Sequence, residues 1–395
     1  MLKKDIIFIG GMDWDDDRKL PPHHVATRLA RNNRVFYIDN FGAVRDFAFS
    51  DIPRALRKAS KAFKMRRLSL AEHRNEVSKI TVWRQMVIPT PRLPSLIGRV
   101  NAFLLKRGLK HLCDIYGIKE PVIWTRVPTQ LVWRSIESLP HKMLVYQSVD
   151  KFPYTPKISE SLRPRFVKWE KRFCMSADLV FASARGLFKE KKEMNPNTYF
   201  FPNGVDTRIF RETVMTNPCK NIKKPIIGFA GALGPWVDYK LILETAQLRP
   251  TYSFVLLGPL APEVDLRDLG KLPNVHLPGV VKYLELPAWY RKFDVGLIPY
   301  RITKFTNYTF PTKMAEYLAV GLPVISTPLP EIIPYSDVVS IIKDPDEMAT
   351  AIDRALSKNN GEAEREKRMA LSDSLSWDTI VAGMEKIINE RYEEL

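Results

Sequence analysis

FPTKMAEYLAVGLPVIST, residues 310–327, decides how this chain is read. Pro311 suits the first position of a helix, where its missing N–H has no partner to lose. Met314, Tyr317 and Leu318 give that helix an apolar face, and Gly321 ends it. Pro323-Val-Ile-Ser326 then opens a buried strand. Lys313 and Glu316 are three residues apart in the first turns, so they share a face. The free N–H groups of a helix start bind phosphate. A lysine for phosphates and a glutamate for ribose hydroxyls would suit the two ends of a nucleoside diphosphate. The same spacing is also that of an ordinary surface ion pair, and the segment alone leaves both readings open.

Working outward, the 395 residues exceed one ordinary core, so two domains are expected. Hydrophobic residues make up 45% and charged residues 27%, which is a globular and not a disordered balance. The formal net charge of +17 calls for an anionic partner: nucleic acid, a membrane surface or phosphorylated substrates. No apolar run reaches the length of a membrane span. Lys3-Lys4 followed by Ile6–Ile9 imitates a signal peptide. The run is too short, however, and meets Gly10-Gly11 and the acidic Asp13–Asp17. It reads as a first buried strand, with a cytoplasmic location expected. Cys113, Cys174 and Cys219 are odd in number and far apart, which points to reduced structural thiols, without a disulfide framework or zinc site.

Short apolar runs alternate with amphipathic stretches along the chain. In the first half, strands are expected at Asp5–Gly10, Val35–Asp39, Pro121–Trp124, Met143–Gln147 and Leu179–Ala182, with helices at His24–Arg31 and Phe166–Met175. In the second half, Pro225–Ala230, Ser253–Leu257, Asp294–Pro299 and Pro323–Ser326 repeat the theme, and a last helix lies around Trp377–Tyr392. Apolar strands separated by helices imply parallel sheets covered on both faces. The expected organisation is an N-terminal domain over 1–210, a polar linker over 211–224, a C-terminal domain over 225–375, and a final helix over 376–395 as a candidate to cross back to the N-terminal domain. Ligands of such sheets bind at the C-terminal strand ends, so the two domains are expected to face a central cleft.

Four motifs then carry a resemblance. Phe201-Pro-Asn-Gly-Val-Asp206 resembles the PNGVD signature of nucleotide-sugar glycosyltransferases with the GT-B fold. Ser176–Ser183 is similar to the strand placed before it, and Ile226–Leu233 to the first C-domain strand with its glycine-rich donor loop. Lys313–Val324 resembles the donor-binding helix. The nearest subgroup is that of bacterial cell-surface polysaccharide enzymes of the teichuronic acid type. The resemblance implies two Rossmann-like domains, the acceptor held by the one over 1–210 and the donor mainly by the one over 225–375, and a nucleoside diphosphate sugar as donor substrate, with no separate cofactor. It places Glu316 on the ribose and Gly231, Ala232 and Gly234 in the loop nearest the diphosphate, where a missing side chain permits close approach. Two departures stand out. Where the family often has a second glutamate, this chain has Tyr308, beside Asn307 and Thr309, so Tyr308 and Thr309 become donor-site candidates and the contact to the sugar hydroxyls stays open. The basic pair after the glycine loop is absent. Lys313 is the first candidate to replace its charge and Lys240 the second.

Transfer needs a stabilised leaving diphosphate and, in an inverting mechanism, a base for the acceptor hydroxyl. Asp150 follows the strand Met143–Gln147 and is either a catalytic or acceptor-binding carboxylate or the cap of the helix after it. His24 opens the first helix and is a second catalytic candidate, with His23 beside it making a surface role equally open. Asp13 and Asp15–Asp17 have a spacing that could attract a divalent cation, but a solvated acidic loop is the preferred reading, and no metal is expected. His73, His111, His141 and His276 show no ligand spacing.

Residues 54–67, RALRKASKAFKMRR, hold seven basic residues and no acid. Ile52, Leu56, Ala59, Phe63 and Leu70 form an apolar stripe at helical spacing. A helix of this kind lies in an anionic membrane interface, or else packs on the domain with its basic side in water. The membrane reading, through 52–70, is preferred, because the charge is more one-sided than solubility requires. The sequence therefore points to a cytoplasmic, peripherally membrane-bound glycosyltransferase acting on a glycan or lipid-linked glycan. Its rivals are a sugar epimerase on the same fold and a two-lobed binding protein without catalysis. Nucleic acid is not expected as a partner, since no interleaved basic-aromatic module is present.

Overall fold

Two parallel sheets organise the chain. The computed structural model describes residues 3–16, 19–39, 80–84, 95–155, 158–212, 216–357 and 361–395. The segment 52–70 therefore lies outside the described residues.

The first unit comprises residues 1–201 and 381–395. Its strands are β1 (Asp5–Ile9), β2 (Arg34–Ile38), β3 (Ile80–Trp83), β4 (Val122–Thr125), β5 (Met143–Ser148), β6 (Leu179–Ala182) and β7 (Thr198–Phe200). They lie in the order β3-β2-β1-β4-β5-β6-β7, every neighbouring pair parallel. Every residue of the central strands β4, β5 and β6 is buried, which is why they read as unbroken apolar runs. The chain order reverses between β1 and β4, so this unit's ligand crevice is expected there.

The second unit, residues 202–380, repeats the plan with β8 (Ile226–Ala230), β9 (Ser253–Leu257), β10 (Val275–Gly279), β11 (Val295–Ile298), β12 (Val324–Ser326) and β13 (Val339–Ile341). Their order is β10-β9-β8-β11-β12-β13, again all parallel, with the reversal between β8 and β11. Apolar clusters cover the sheet through Met314, Tyr317 and Leu318 in one group and Ile242, Val295 and Ile352 in another. Each such side chain contributes roughly 1.5–3 kcal/mol on burial.

The expected linker at 211–224 is displaced: the division falls between Phe201 and Pro202. Residues 202–212 belong to the second unit because Val205 forms a bridge with Ser376, and the fully buried Phe210 stacks on Tyr290, with ring centroids 5.5 Å and planes 17° apart, and meets Tyr283 edge-on at 5.7 Å.

 The last helix, Trp377–Glu394, begins in the second unit, and its residues from Val381 onward belong to the first. There Glu385 accepts hydrogen bonds from Asn32 and Asn33, and Asn389 accepts one from Lys4.

The helix that opened the sequence argument spans Thr312–Ala319, with Pro311 at its N-cap, one place earlier than expected. Its end is as the glycine implies. Gly321 has φ +76°, and the N–H groups of Gly321 and Leu322 bond back to the carbonyls of Leu318 and Tyr317. The first helix runs Pro21–Leu29, starting three residues before the expected His24, because two prolines fill its first turn. No helix among the described residues is long and apolar enough to cross a membrane.

Candidate functional site

At the β8/β11 reversal, the loop after β8 holds Gly231, Ala232 and Gly234. The Gly231 N–H bonds to Leu257 O at 2.9 Å and the Leu233 N–H to Pro259 O at 2.9 Å, so this loop is laced to the loop after β9. The approach is close: a Cβ built on Gly258, at φ +138°, would sit 1.8 Å from Gly231 O. Only glycine fits there. Ala232 is exposed and Gly234 is covered by the Trp236 ring.

The helix Thr312–Ala319 is tied to the same loop. The Ala230 N–H donates to Tyr317 Oη at 3.0 Å, one residue before Gly231. Next to Tyr317, Glu316 is almost fully buried, with 6% exposure. Its Oε2 accepts from Tyr290 Oη at 2.8 Å and from Lys313 Nζ at 2.9 Å. Its Oε1 takes no hydrogen bond within the protein and is reached by solvent. Burial pushes the phenols of Tyr290 and Tyr317 well above their usual range, so both remain protonated. The Lys313–Glu316 pair is thus real, but it is an interior pair and not the solvated one of the simpler reading. Interior pairs carry a desolvation cost that packing alone does not require.

The other donor-site candidates divide. Thr309 Oγ1 bonds to Phe305 O at 3.1 Å, and Tyr308 closes the short helical turn Thr306–Tyr308 just before the helix Thr312–Ala319. Asn307 beside them buries its Oδ1 without a hydrogen-bond partner. Lys240 lies on the exposed side of the helix Tyr239–Leu248 and faces Glu244 at 3.6 Å. Arg301 is brought to the glycine loop instead, since its N–H bonds to Trp236 O at 2.8 Å.

In the first unit, His24 is buried, with Nδ1 3.4 Å from Arg28 Nη1. His23 is not a surface residue either. It is 3% exposed, with its ring between Trp14 and Tyr37 and its nitrogens facing Asp13 O at 2.9 Å and Leu20 O at 3.2 Å. Burial holds its pKa below the usual value. The acidic loop is tied down through Asp15, which faces Arg84 at 2.5 Å, while Asp39 accepts from Trp14 N–H and Arg84. Among the described residues no group of three His, Cys, Asp or Glu is placed to hold a metal. Asp150 has φ +57°, a strained value for a residue with a side chain. The short helical turn Phe152–Tyr154 after it has Lys151 at its N-cap and no side-chain cap, so Asp150 does not cap a helix. Sequence reasoning missed Tyr290, Asn307 and Arg126. A lone arginine in the apolar run Val122–Val127 was the available signal for the last; nothing near Tyr290 marked it.

The comparisons bear on this geometry. Residues 224–358 match the family described as Glycosyl transferases group 1. This segment is similar to a group 1 glycosyltransferase domain. It contains the glycine loop, Tyr290, Lys313 and Glu316. A Bacillus subtilis (strain 168) protein, TuaH, provisionally named a teichuronic acid biosynthesis glycosyltransferase, is 28% identical over 237 residues. That match covers 56% of this chain and 59% of TuaH. Among solved structures, the sucrose-phosphate synthase of Thermosynechococcus elongatus superposes with a TM-score of 0.71 at 14% identity, covering 100% of both chains. Anabaena HepE in complex with UDP and glucose gives 0.66 at 14% identity, covering 98% of this chain and 100% of HepE. An Escherichia coli trehalose-6-phosphate structure with bound UDP-2-fluoro glucose gives 0.68 at 13% identity, covering 98% and 99%. The fold is GT-B: two Rossmann-like parallel sheets.

Proposed function

We propose that this chain is a glycosyltransferase that moves a sugar from a nucleoside diphosphate sugar to a glycan or lipid-linked glycan in cell-surface polysaccharide synthesis. The carrying observation is Glu316: one carboxylate oxygen is held by Tyr290 and Lys313, and the other is open, on a helix tied through Tyr317 to the Gly231 loop. Such a carboxylate is oriented before a ligand arrives and can accept from ribose hydroxyls. The free N–H groups of the helix start, Lys313 and the glycine loop favour a diphosphate beside it. A departing diphosphate is stabilised by the same groups. The donor is itself a substrate, and no further cofactor is invoked. The UDP found with HepE favours uridine as the base, and the TuaH match favours a polysaccharide acceptor. Asp150 and His24 are the residues proposed to serve the acceptor.

A thermal-shift screen against nucleoside diphosphate sugars tests this reading, because a ligand that binds only the folded state raises its apparent stability. One sugar nucleotide should stabilise the protein and be slowly hydrolysed without acceptor. No stabilisation by any of them refutes it. The cytoplasmic, peripheral membrane placement is part of the proposal and rests on the charge of 52–70. Replacing Arg57, Lys58, Lys61 and Lys64 by glutamine should release the protein from anionic vesicles; equal sedimentation of variant and parent counts against it.

A further inference from the structure

Arg126 follows β4 at the point where the first sheet reverses its order, and its N–H bonds to Ile9 O at 3.2 Å. That is where open α/β sheets take their ligands. Its Nε and Nη1 are shut off from solvent and have no hydrogen-bond partner, while the residue as a whole is only partly buried. An orphaned guanidinium is costly to bury, and proteins seldom leave one so. The obvious internal partners are unavailable. The Tyr37 phenol spends its hydrogen on Met12 O at 3.0 Å, and Asp150 raises Arg126 only electrostatically, with no ion pair between them among the described residues.

We infer that Arg126 is an anion-binding residue of the first unit, taking a phosphate or carboxylate carried by the acceptor sugar. A guanidinium offers a planar fork that matches either group with two parallel hydrogen bonds. Burial lowers its pKa to about 10, so it is still a cation at neutral pH. The strained Asp150 and the close Gly10 lie on the same side of the sheet, at the ends of β5 and β1: a Cβ on Gly10 would meet Tyr37 Oη at 2.6 Å. The chain's excess of positive charge also favours an anionic ligand. The inference rests on the acceptor half of the proposed function and is independent of the donor site.

Calorimetry of the full chain with glucose, glucose 6-phosphate and glucuronic acid tests it and separates phosphate from carboxylate. At least one anionic sugar should bind the parent ten-fold or more tighter than glucose. Arg126→Met should erase that margin without lowering the melting temperature, since it removes an unpaired buried charge. Arg126→Lys, which keeps the charge but not the fork, should cut it at least three-fold. A parent that binds all three sugars equally overturns the inference, as does a margin that survives in either variant. Donor stabilisation and donor hydrolysis, measured on the same samples, should be unchanged. Their absence in the parent would refute the donor reading and leave the Arg126 result standing by itself.

Discussion

Tyr290 Oη donates a 2.8 Å hydrogen bond to Glu316 Oε2, the same oxygen that faces Lys313 Nζ at 2.9 Å. Tyr290 is 26 residues upstream of Glu316 and fully buried. It therefore fixes the carboxylate through Oε2 and leaves Oε1 without a hydrogen bond in the protein. Tyr290→Phe should cost about 1.5–3 kcal/mol of stability, the range for hydrogen bonds to charged groups, and should weaken donor binding as well. Glu316→Gln should weaken donor binding with the fold intact. Denaturant midpoints and donor calorimetry read the two effects separately; unchanged donor affinity in Glu316→Gln removes the carboxylate from the site.

Lys313 is expected to act on phosphate as well as on Glu316. Lys313→Ala should weaken nucleoside diphosphate binding about ten-fold more than nucleoside binding, because charge-assisted contacts need the phosphates present. An equal loss for both ligands would show that Lys313 works only by holding Glu316.

Gly258 makes the glycine loop sensitive to a methyl group it does not carry. Gly258→Ala would place its Cβ 1.8 Å from Gly231 O at a φ of +138°. Strain of this kind costs on the order of 1–3 kcal/mol per residue. The expected result is a lower melting temperature together with weaker donor binding. A variant as stable as the parent would mean that the two loops part without cost.

Asp150 offers a separation of charge from backbone. Asparagine tolerates a left-handed φ nearly as well as aspartate, so Asp150→Asn should keep the melting temperature. If the carboxylate serves as general base, turnover should fall by roughly 10²–10⁴, with little change in the apparent donor constant. Normal turnover rules the base out. Asp150→Gly should raise stability by up to about 1 kcal/mol by relieving the strain.

His23 predicts a pH dependence. Its folded pKa lies below the usual 6.5 because burial disfavours the imidazolium. Above 6.5 both states are neutral there and nothing changes. As pH falls through 6.5 the unfolded chain binds the proton first, so stability declines until the folded pKa is passed. His23→Phe should flatten this slope between pH 7.5 and 5.5. Asp39, whose carboxyl is raised by burial, is common to both proteins and cancels in the comparison. Parallel melting curves over that range would mean that the histidine is not responsible.

Nine strands were legible as apolar runs, and those that were not share a cause. β3, β7, β10 and β13 are the four outer strands of the two sheets. Their outward residues are only partly buried, as in Val275–Gly279, so no continuous run of Val, Ile and Leu announces them. The local structure around the candidate site residues divides in the same way. Gly231 and Glu316 were legible because local sequence builds a glycine turn and a helix start. Tyr290 joins them only through the packing of a distant helix. Lys240 read as a phosphate ligand by proximity along the chain, but its helix turns it to Glu244. The junction was read from polarity at 211–224, whereas burial of Phe210 decides it earlier.

The final helix has a consequence for synthesis on the ribosome. The first unit needs Glu385 for Asn32 and Asn33, and Asn389 for Lys4. Domains made first usually fold first during translation. Here the earlier half must wait, incomplete, while the later half is made and folds from a contiguous stretch. The order of birth and the order of completion are reversed.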